Sequence, residues 1–218
     1  MQLTKYTHSC VRITDDNDRR LVIDPGAFSE VEEALEGIDH VLVTHQHPDH
    51  IDVAKLAEAA RANADLKIWG PKDLTDQLAQ QEAFQGRLTT VGPGQSFVAG
   101  GLQVRTFGGQ HAVIHSSIPV ISNVAYLVGD AVYHPGDSYT VPNAGVEVAL
   151  IPLNAPWAKV AETIDFTVAL RAPRAFQIHD GLINDIGRGG YGMQLKRVGE
   201  LYGVTDYQQL DPRAVVGL

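Results

Sequence analysis

The sequence predicts an α+β fold: two sheets packed face to face, with helices outside. Three observations carry this. Strand-like runs open the chain, a β–α–β–α stretch follows, and the second half repeats that order. The 218 residues are 44% hydrophobic and 20% charged, an ordinary globular composition that excludes disorder, collagen and coiled coil. That length suits one domain over residues 1–218 better than two small ones.

Leu3, Lys5 and Thr7 alternate with Gln2, Thr4 and Tyr6, and Val11 and Ile13 flank Arg12, which is the period-two pattern of strands. Leu21-Val22-Ile23 and Val41-Leu42-Val43 read as short buried strands. The first stops at Asp24-Pro25-Gly26, and the second runs into Thr44-His45-Gln46-His47-Pro48-Asp49-His50. Asp52 suits a helix N-cap, because Val53, Leu56, Ala57 and Ala60 follow at the spacing of one apolar face. A strand over 66–69 and a proline-initiated helix over 71–82 come next.

The middle is strand-rich, at 96–98, 102–107, 124–128 and 131–134, with Gly129-Asp130 as a hairpin turn. An apolar strand over 146–153, a helix over 162–170 and a strand over 175–178 lead to a last helix, with Leu195, Val198 and Tyr202 on one face. The glycine-rich run 187–192 lacks the pattern of a phosphate-binding loop and reads as a flexible loop, where Arg188 could meet an anionic substrate. Asp24-Pro25-Gly26 and Pro135-Gly136-Asp137 rhyme across the two halves, a hint of duplication.

A net charge of −9 gives no general attraction to nucleic acid or anionic lipid. The single Cys10 excludes an internal disulfide or a thiolate zinc cluster and reads as a buried strand residue. No apolar run is long enough for a membrane span, and residues 1–10 lack a signal peptide's apolar core, so a cytoplasmic protein is expected. A homo-oligomer is left open.

Nine histidines are present, and His45, His47 and His50 lie within six residues. A His-x-His-x-Asp-His pattern arises by chance in about one such chain in a thousand. An extended turn points His45 and His47 the same way, and Pro48 turns the chain so that Asp49 and His50 face a second point. Imidazole with carboxylate suits zinc or another first-row divalent ion. Further donors are needed, and His111, Asp137 and His179 each stand at the end of a strand-like run.

With Asp24, the four-residue cluster, His111, Asp137 in Gly-Asp-Ser and His179 in this order, the chain resembles the metallo-β-lactamase superfamily. It looks most like the branch of ascorbate-lactonase-like and N-acyl-phosphatidylethanolamine phospholipase D-like hydrolases. The resemblance implies a four-layer αββα sandwich and two divalent ions, zinc first and manganese or iron next. By the same resemblance His45, His47 and His111 hold one ion, Asp49, His50 and His179 the other, and Asp137 bridges.

The implied activity is metal-dependent hydrolysis of a small lactone, ester or phosphodiester by a metal-bridging hydroxide, with Asp49 and Asp137 catalytic. Asp24 would orient a ligand loop and His8 would lie near the site mouth. Tyr139 is a candidate proton donor, as are His8 and a metal-bound water, and Trp157 either walls the pocket or lies in the core. His40 is expected to cap or face solvent, His115 to sit in a loop, and His134 to be structural. A nuclease of the same superfamily is disfavoured by the net charge. A redox iron protein is disfavoured because Glu would be expected where His47 stands. A non-catalytic metal-binding module is disfavoured by the full ligand set.

Overall fold

A computed structural model describes residues 1–218. The first sheet contains β1 (Gln2–Lys5), β2 (Val11–Thr14), β3 (Arg20–Ile23), β4 (His40–Leu42), β5 (Lys67–Gly70), β6 (Leu88–Thr90) and the C-terminal β14 (Val215–Gly217). The second contains β7 (Ser96–Ala99), β8 (Leu102–Gly108), β9 (Val124–Val128), β10 (Val132–His134), β11 (Val148–Pro152), β12 (Arg174–Ile178) and β13 (Asp206–Gln208). Their orders are β14-β1-β2-β3-β4-β5-β6 and β7-β8-β9-β10-β11-β12-β13.

Both sheets have the same ladder pattern, three antiparallel pairings and then three parallel ones. Asp24-Pro25-Gly26 follows β3 and Pro135-Gly136-Asp137 follows β10, the fourth strand of each order. The rhyme between these tripeptides therefore has a topological counterpart.

Alternation along the strands builds four layers. Leu3, Ile13, Leu21, Ile23 and Leu42 point between the sheets and meet Val104, Tyr126, Val128, Leu150 and Phe176. Val22, Val41 and Ile68 point the other way, onto α1 (Val31–Leu35), α2 (Val53–Ala62) and α3 (Lys72–Leu78). On the far side Leu127, Ala149, Ile151 and Ala175 meet Phe166 and Leu170 of α4 (Val160–Leu170) and Leu195 of α5 (Asp185–Tyr202). This is the expected αββα arrangement, since each sheet must cover both its apolar faces. No helix is long and apolar enough to cross a membrane.

The glycine-rich run is a correction: residues 187–192 lie inside α5, not in a loop. Asn184 caps the helix by accepting the Gly187 N–H, and a Cβ on Gly192 would stand 3.2 Å from the Tyr207 ring. Close packing thus offsets the poor helix propensity of glycine. The helix expected over 71–82 ends at Leu78, and a 3-10 turn covers Glu82–Phe84. Strands β6, β13 and β14 and helix α1 were not expected. They span three to five residues each, too short for a periodic signal, and the three strands lie at sheet edges.

Candidate metal centre

The loops after β3 and β4 are tied together by one buried carboxylate. Asp24 Oδ1 accepts the Thr44 N–H at 2.7 Å, and Asp24 Oδ2 accepts the Thr44 hydroxyl at 2.7 Å and His50 Nδ1–H at 2.6 Å. Thr44 Oγ1 in turn lies 3.0 Å from His45 Nδ1. Gly26 passes so close beneath that a Cβ there would lie 1.8 Å from the Asp49 carbonyl oxygen, so only glycine fits.

The second sheet supplies the opposite wall. His111 Nδ1 donates to the Ala112 carbonyl and His179 Nδ1 to the Asn154 carbonyl, each at 2.6 Å. Asn123 Oδ1 accepts the Asp137 N–H at 2.9 Å, and Trp157 Nε1 donates to Asp137 Oδ2 at 2.9 Å. Gly136 is required here too, because a Cβ on it would stand 2.2 Å from Asn123 Oδ1 and 2.7 Å from Thr44 Cβ.

These bonds fix the tautomers. With Nδ1 engaged by those partners, Nε2 of His50, His111 and His179 is the ring atom turned toward Asp137, at 2.9, 3.3 and 3.1 Å from its oxygens. His50 Nε2, His111 Nε2, His179 Nε2 and Asp137 Oδ1 are buried and form no hydrogen bond. Buried polar atoms without hydrogen-bond partners are costly, and convergent imidazole nitrogens and carboxylate oxygens are what a divalent cation satisfies. Donor atoms fall into two groups, His45, His47, His111 and Asp137, and His8, Asp49, His50 and His179, each within 4.8 Å of one another. The residues present therefore fit two divalent ions side by side.

His8 enters the second group with the opposite tautomer. Its Nδ1 accepts the Gly181 N–H at 3.1 Å, which leaves the proton on Nε2, 3.0 Å from Asp49 Oδ2. A ring nitrogen that donates to a carboxylate has no lone pair for a metal. Its backbone is strained as well: His8, Asp24 and His179 have φ of 63°, 53° and 56°, three of the seven non-glycine residues in the left-handed region.

The electrostatics divide the histidines. Burial lowers His50 and His179, but facing carboxylates outweigh it. His50 is held well above its ordinary value, and His179 rises to about 9. Burial pushes His45 well down and His8 down to about 4. Burial raises the Asp49 and Asp137 carboxyls, yet the facing histidines hold both below the usual range.

Of the other sequence candidates, Trp157 is both core and wall: it is buried, yet bonded to Asp137. Tyr139 packs edge-on against Trp157 at 5.0 Å, and its hydroxyl bonds Thr163 Oγ1 at 2.6 Å. His134 is buried with Nε2 on the Ser9 carbonyl at 2.8 Å. His115 is exposed and pairs with Ser117. His40 is half-buried against Trp69, where capping or solvent was expected. Arg188 binds Asp185 at 2.6 Å.

Lys5 and Asp180 were missed. Lys5 is fully buried, donates to the Tyr6 carbonyl and pairs with Asp180 Oδ1 at 3.2 Å, which ties β1 to the loop carrying His179. Burial lowers the Lys5 amine against the pull of Asp180. The one sequence signal was a lysine inside an otherwise buried strand.

Residues 2–179 match the beta-lactamase superfamily domain. "Protein Rv0786c" of Mycobacterium tuberculosis is 37% identical over 221 residues, covering 99% of both chains. A "UPF0173 metal-dependent hydrolase" of Xanthobacter autotrophicus is 32% identical over 121 residues, covering 51% of this chain and 49% of that one. Among solved structures, Igni18, described as a metallo hydrolase from Ignicoccus hospitalis, superposes with a TM-score of 0.74 at 20% identity, over 99% of this chain and 97% of that one.

Proposed function

Because the chain belongs to the beta-lactamase superfamily and is a metal-dependent hydrolase, we propose that residues 1–218 act as one domain that binds two divalent ions and cleaves a small lactone, ester or phosphodiester. The observation that carries the reading is the convergence of unpaired buried Nε2 atoms on Asp137. His45, His47 and His111 would hold one ion, Asp49, His50 and His179 the other, and Asp137 both. An imidazole–carboxylate set favours zinc, with manganese or iron next.

Two such ions, when bound, polarise a water and the substrate's carbonyl or phosphoryl oxygen. The chain's own groups do the rest. Trp157 Nε1 and the Asn123 amide fix Asp137, and Asp24 fixes His50. His8 and His179 keep Asp49 ionised, so that its carboxylate can accept a hydrogen bond from the attacking water. His8 would then be a positioning residue that aims Asp49. The net charge of −9 opposes a nucleic acid partner, and a buried, unpaired Cys10 fits a cytoplasmic location.

Metal analysis of gently purified protein should give close to two ions per chain. Asp49→Ala or His111→Ala should abolish hydrolysis in a screen of lactones, phosphodiesters and thioesters. Absence of metal, with no activity restored by Zn²⁺ or Mn²⁺, would overturn the reading.

A further inference from the structure

The loops that carry the centre share a second property, which bears on the substrate. Thirteen large hydrophobic side chains are exposed, and six of them lie on these loops: Phe28, Val113, Ile118, Val120, Val141 and Leu182, each 45–63% exposed. The loops amount to about a fifth of the chain, so nearly half the exposed apolar side chains are concentrated there.

Their polar content is equally unusual. Residues 112–122 and 138–146 contain no Asp, Glu, Lys or Arg. In a chain that is 20% charged, twenty residues free of charge arise about once in a hundred. Exposed loops are ordinarily where charge accumulates, so its absence from the flank of Val113 and Val141 points to a neutral occupant there.

The loops that carry these side chains border the histidine cluster on both flanks. The Phe28 ring stands edge-on to His8 with centroids 5.2 Å apart, and the Gly181 N–H on His8 Nδ1 brings the Leu182 loop to the same side. Opposite, Val113 follows His111 by two residues, and the Ala112 N–H donates to the Asp137 carbonyl at 2.8 Å, joining the loop of Val113 to that of Val141.

We propose that this rim receives an uncharged hydrocarbon chain, so that the substrate is an acyl ester, thioester or lactone whose acyl chain lies across Phe28, Val113 and Leu182. The proposal rests on the hydrolase reading above. Water adds across the acyl bond: its hydroxyl goes to the acyl carbon, its proton to the departing oxygen or sulfur. A fully buried methylene is worth about fourfold in affinity, and a rim that covers one side about twofold.

The test uses the full-length, metal-loaded protein and p-nitrophenyl esters from acetyl to decanoyl. kcat/KM should rise about twofold per methylene. The double variant Val113→Ser, Leu182→Ser should bring the decanoyl-to-acetyl ratio close to one, while Val98→Ser, an exposed site on β7, leaves that ratio unchanged. A flat profile in a protein that hydrolyses the acetyl ester overturns the rim and leaves the hydrolase reading standing.

If no ester is cleaved, calorimetry with decanamide and propanamide decides. Tighter decanamide binding that the double variant abolishes supports the rim without hydrolysis, and equal binding overturns it. Adsorption to phosphatidylcholine vesicles without decanamide binding would assign the surface to a membrane and overturn the proposal. A dimer dissociated by the double variant would assign the surface to a second copy of the chain and overturn the proposal as well.

Discussion

His8 donates Nε2–H to Asp49 Oδ2 at 3.0 Å while its own Nδ1 accepts the Gly181 N–H. Two hydrogen bonds of opposite sense thus fix one tautomer in a ring with no solvent exposure. Glutamine can reproduce both, by amide donation and carbonyl acceptance; phenylalanine keeps the volume and loses both. His8→Phe should weaken metal binding by about 10–100-fold, and His8→Gln should stay within a few-fold. Chelator competition measures both. Loss of one ion at saturating zinc in His8→Phe would make His8 a ligand instead.

Trp157 reaches Asp137 with its only polar atom. Trp157→Phe keeps most of the ring against Tyr139 and removes the donor. A hydrogen bond to a charged group is worth about 1.5–3 kcal/mol. Metal content should stay near that of the parent, and kcat should fall by roughly tenfold or more. Unchanged kcat with normal metal content would remove Trp157 from the positioning of Asp137.

Gly26→Ala places a methyl where the Asp49 carbonyl stands. The contact is with backbone, so the loop carrying Asp49 must move. A cost of about 3 kcal/mol is expected, lowering Tm by roughly 6–12 °C, together with loss of metal affinity. Thermal unfolding with and without zinc reads both. A variant as stable as the parent would show that the two loops are not packed as described.

The metal-free protein should be most stable near pH 6.5. His179 is raised from 6.5 to about 9, and His50 is raised as well. Their contribution is complete below 6.5 and is lost as pH climbs through the raised values. His8 is lowered from 6.5 to about 4, and His45 is lowered too. The unfolded chain therefore binds more protons below 6.5, and stability falls in that direction also. Depressed carboxylates add a further loss below about 3.8. Denaturant midpoints measured from pH 4 to pH 9 after chelation check this; a monotonic profile would contradict it. Zinc stabilisation should grow toward high pH, since the ligands must be deprotonated.

Legibility in the sequence followed the length of the signal. The cluster from His45 to His50 was visible because the residues are adjacent and their types chemically specific. His111, Asp137 and His179 stood out only as strand-end residues whose common position gave them weight. Lys5 and Asp180 could not be paired from the sequence, since 175 residues separate them and neither spacing nor composition links them. The glycine-rich stretch of α5 misled because propensity pointed to a loop, while the Asn184 cap and the packing of Gly192 against Tyr207 favour a helix. The small edge strands were hidden for a different reason: three residues cannot display a period.

The donor set is divided between the sheets: His45, His47, Asp49 and His50 leave the first, and His111, Asp137 and His179 leave the second. Beneath them the Val124 N–H bonds the Thr44 carbonyl and the Tyr126 hydroxyl bonds the Val43 carbonyl, each at 2.9 Å. Neither half of the chain can assemble the centre alone. An ion held there would work as a clasp that heat has to open before the halves can part. Turnover would then double as a reporter of assembly, because molecules whose halves are folded but not docked would be silent.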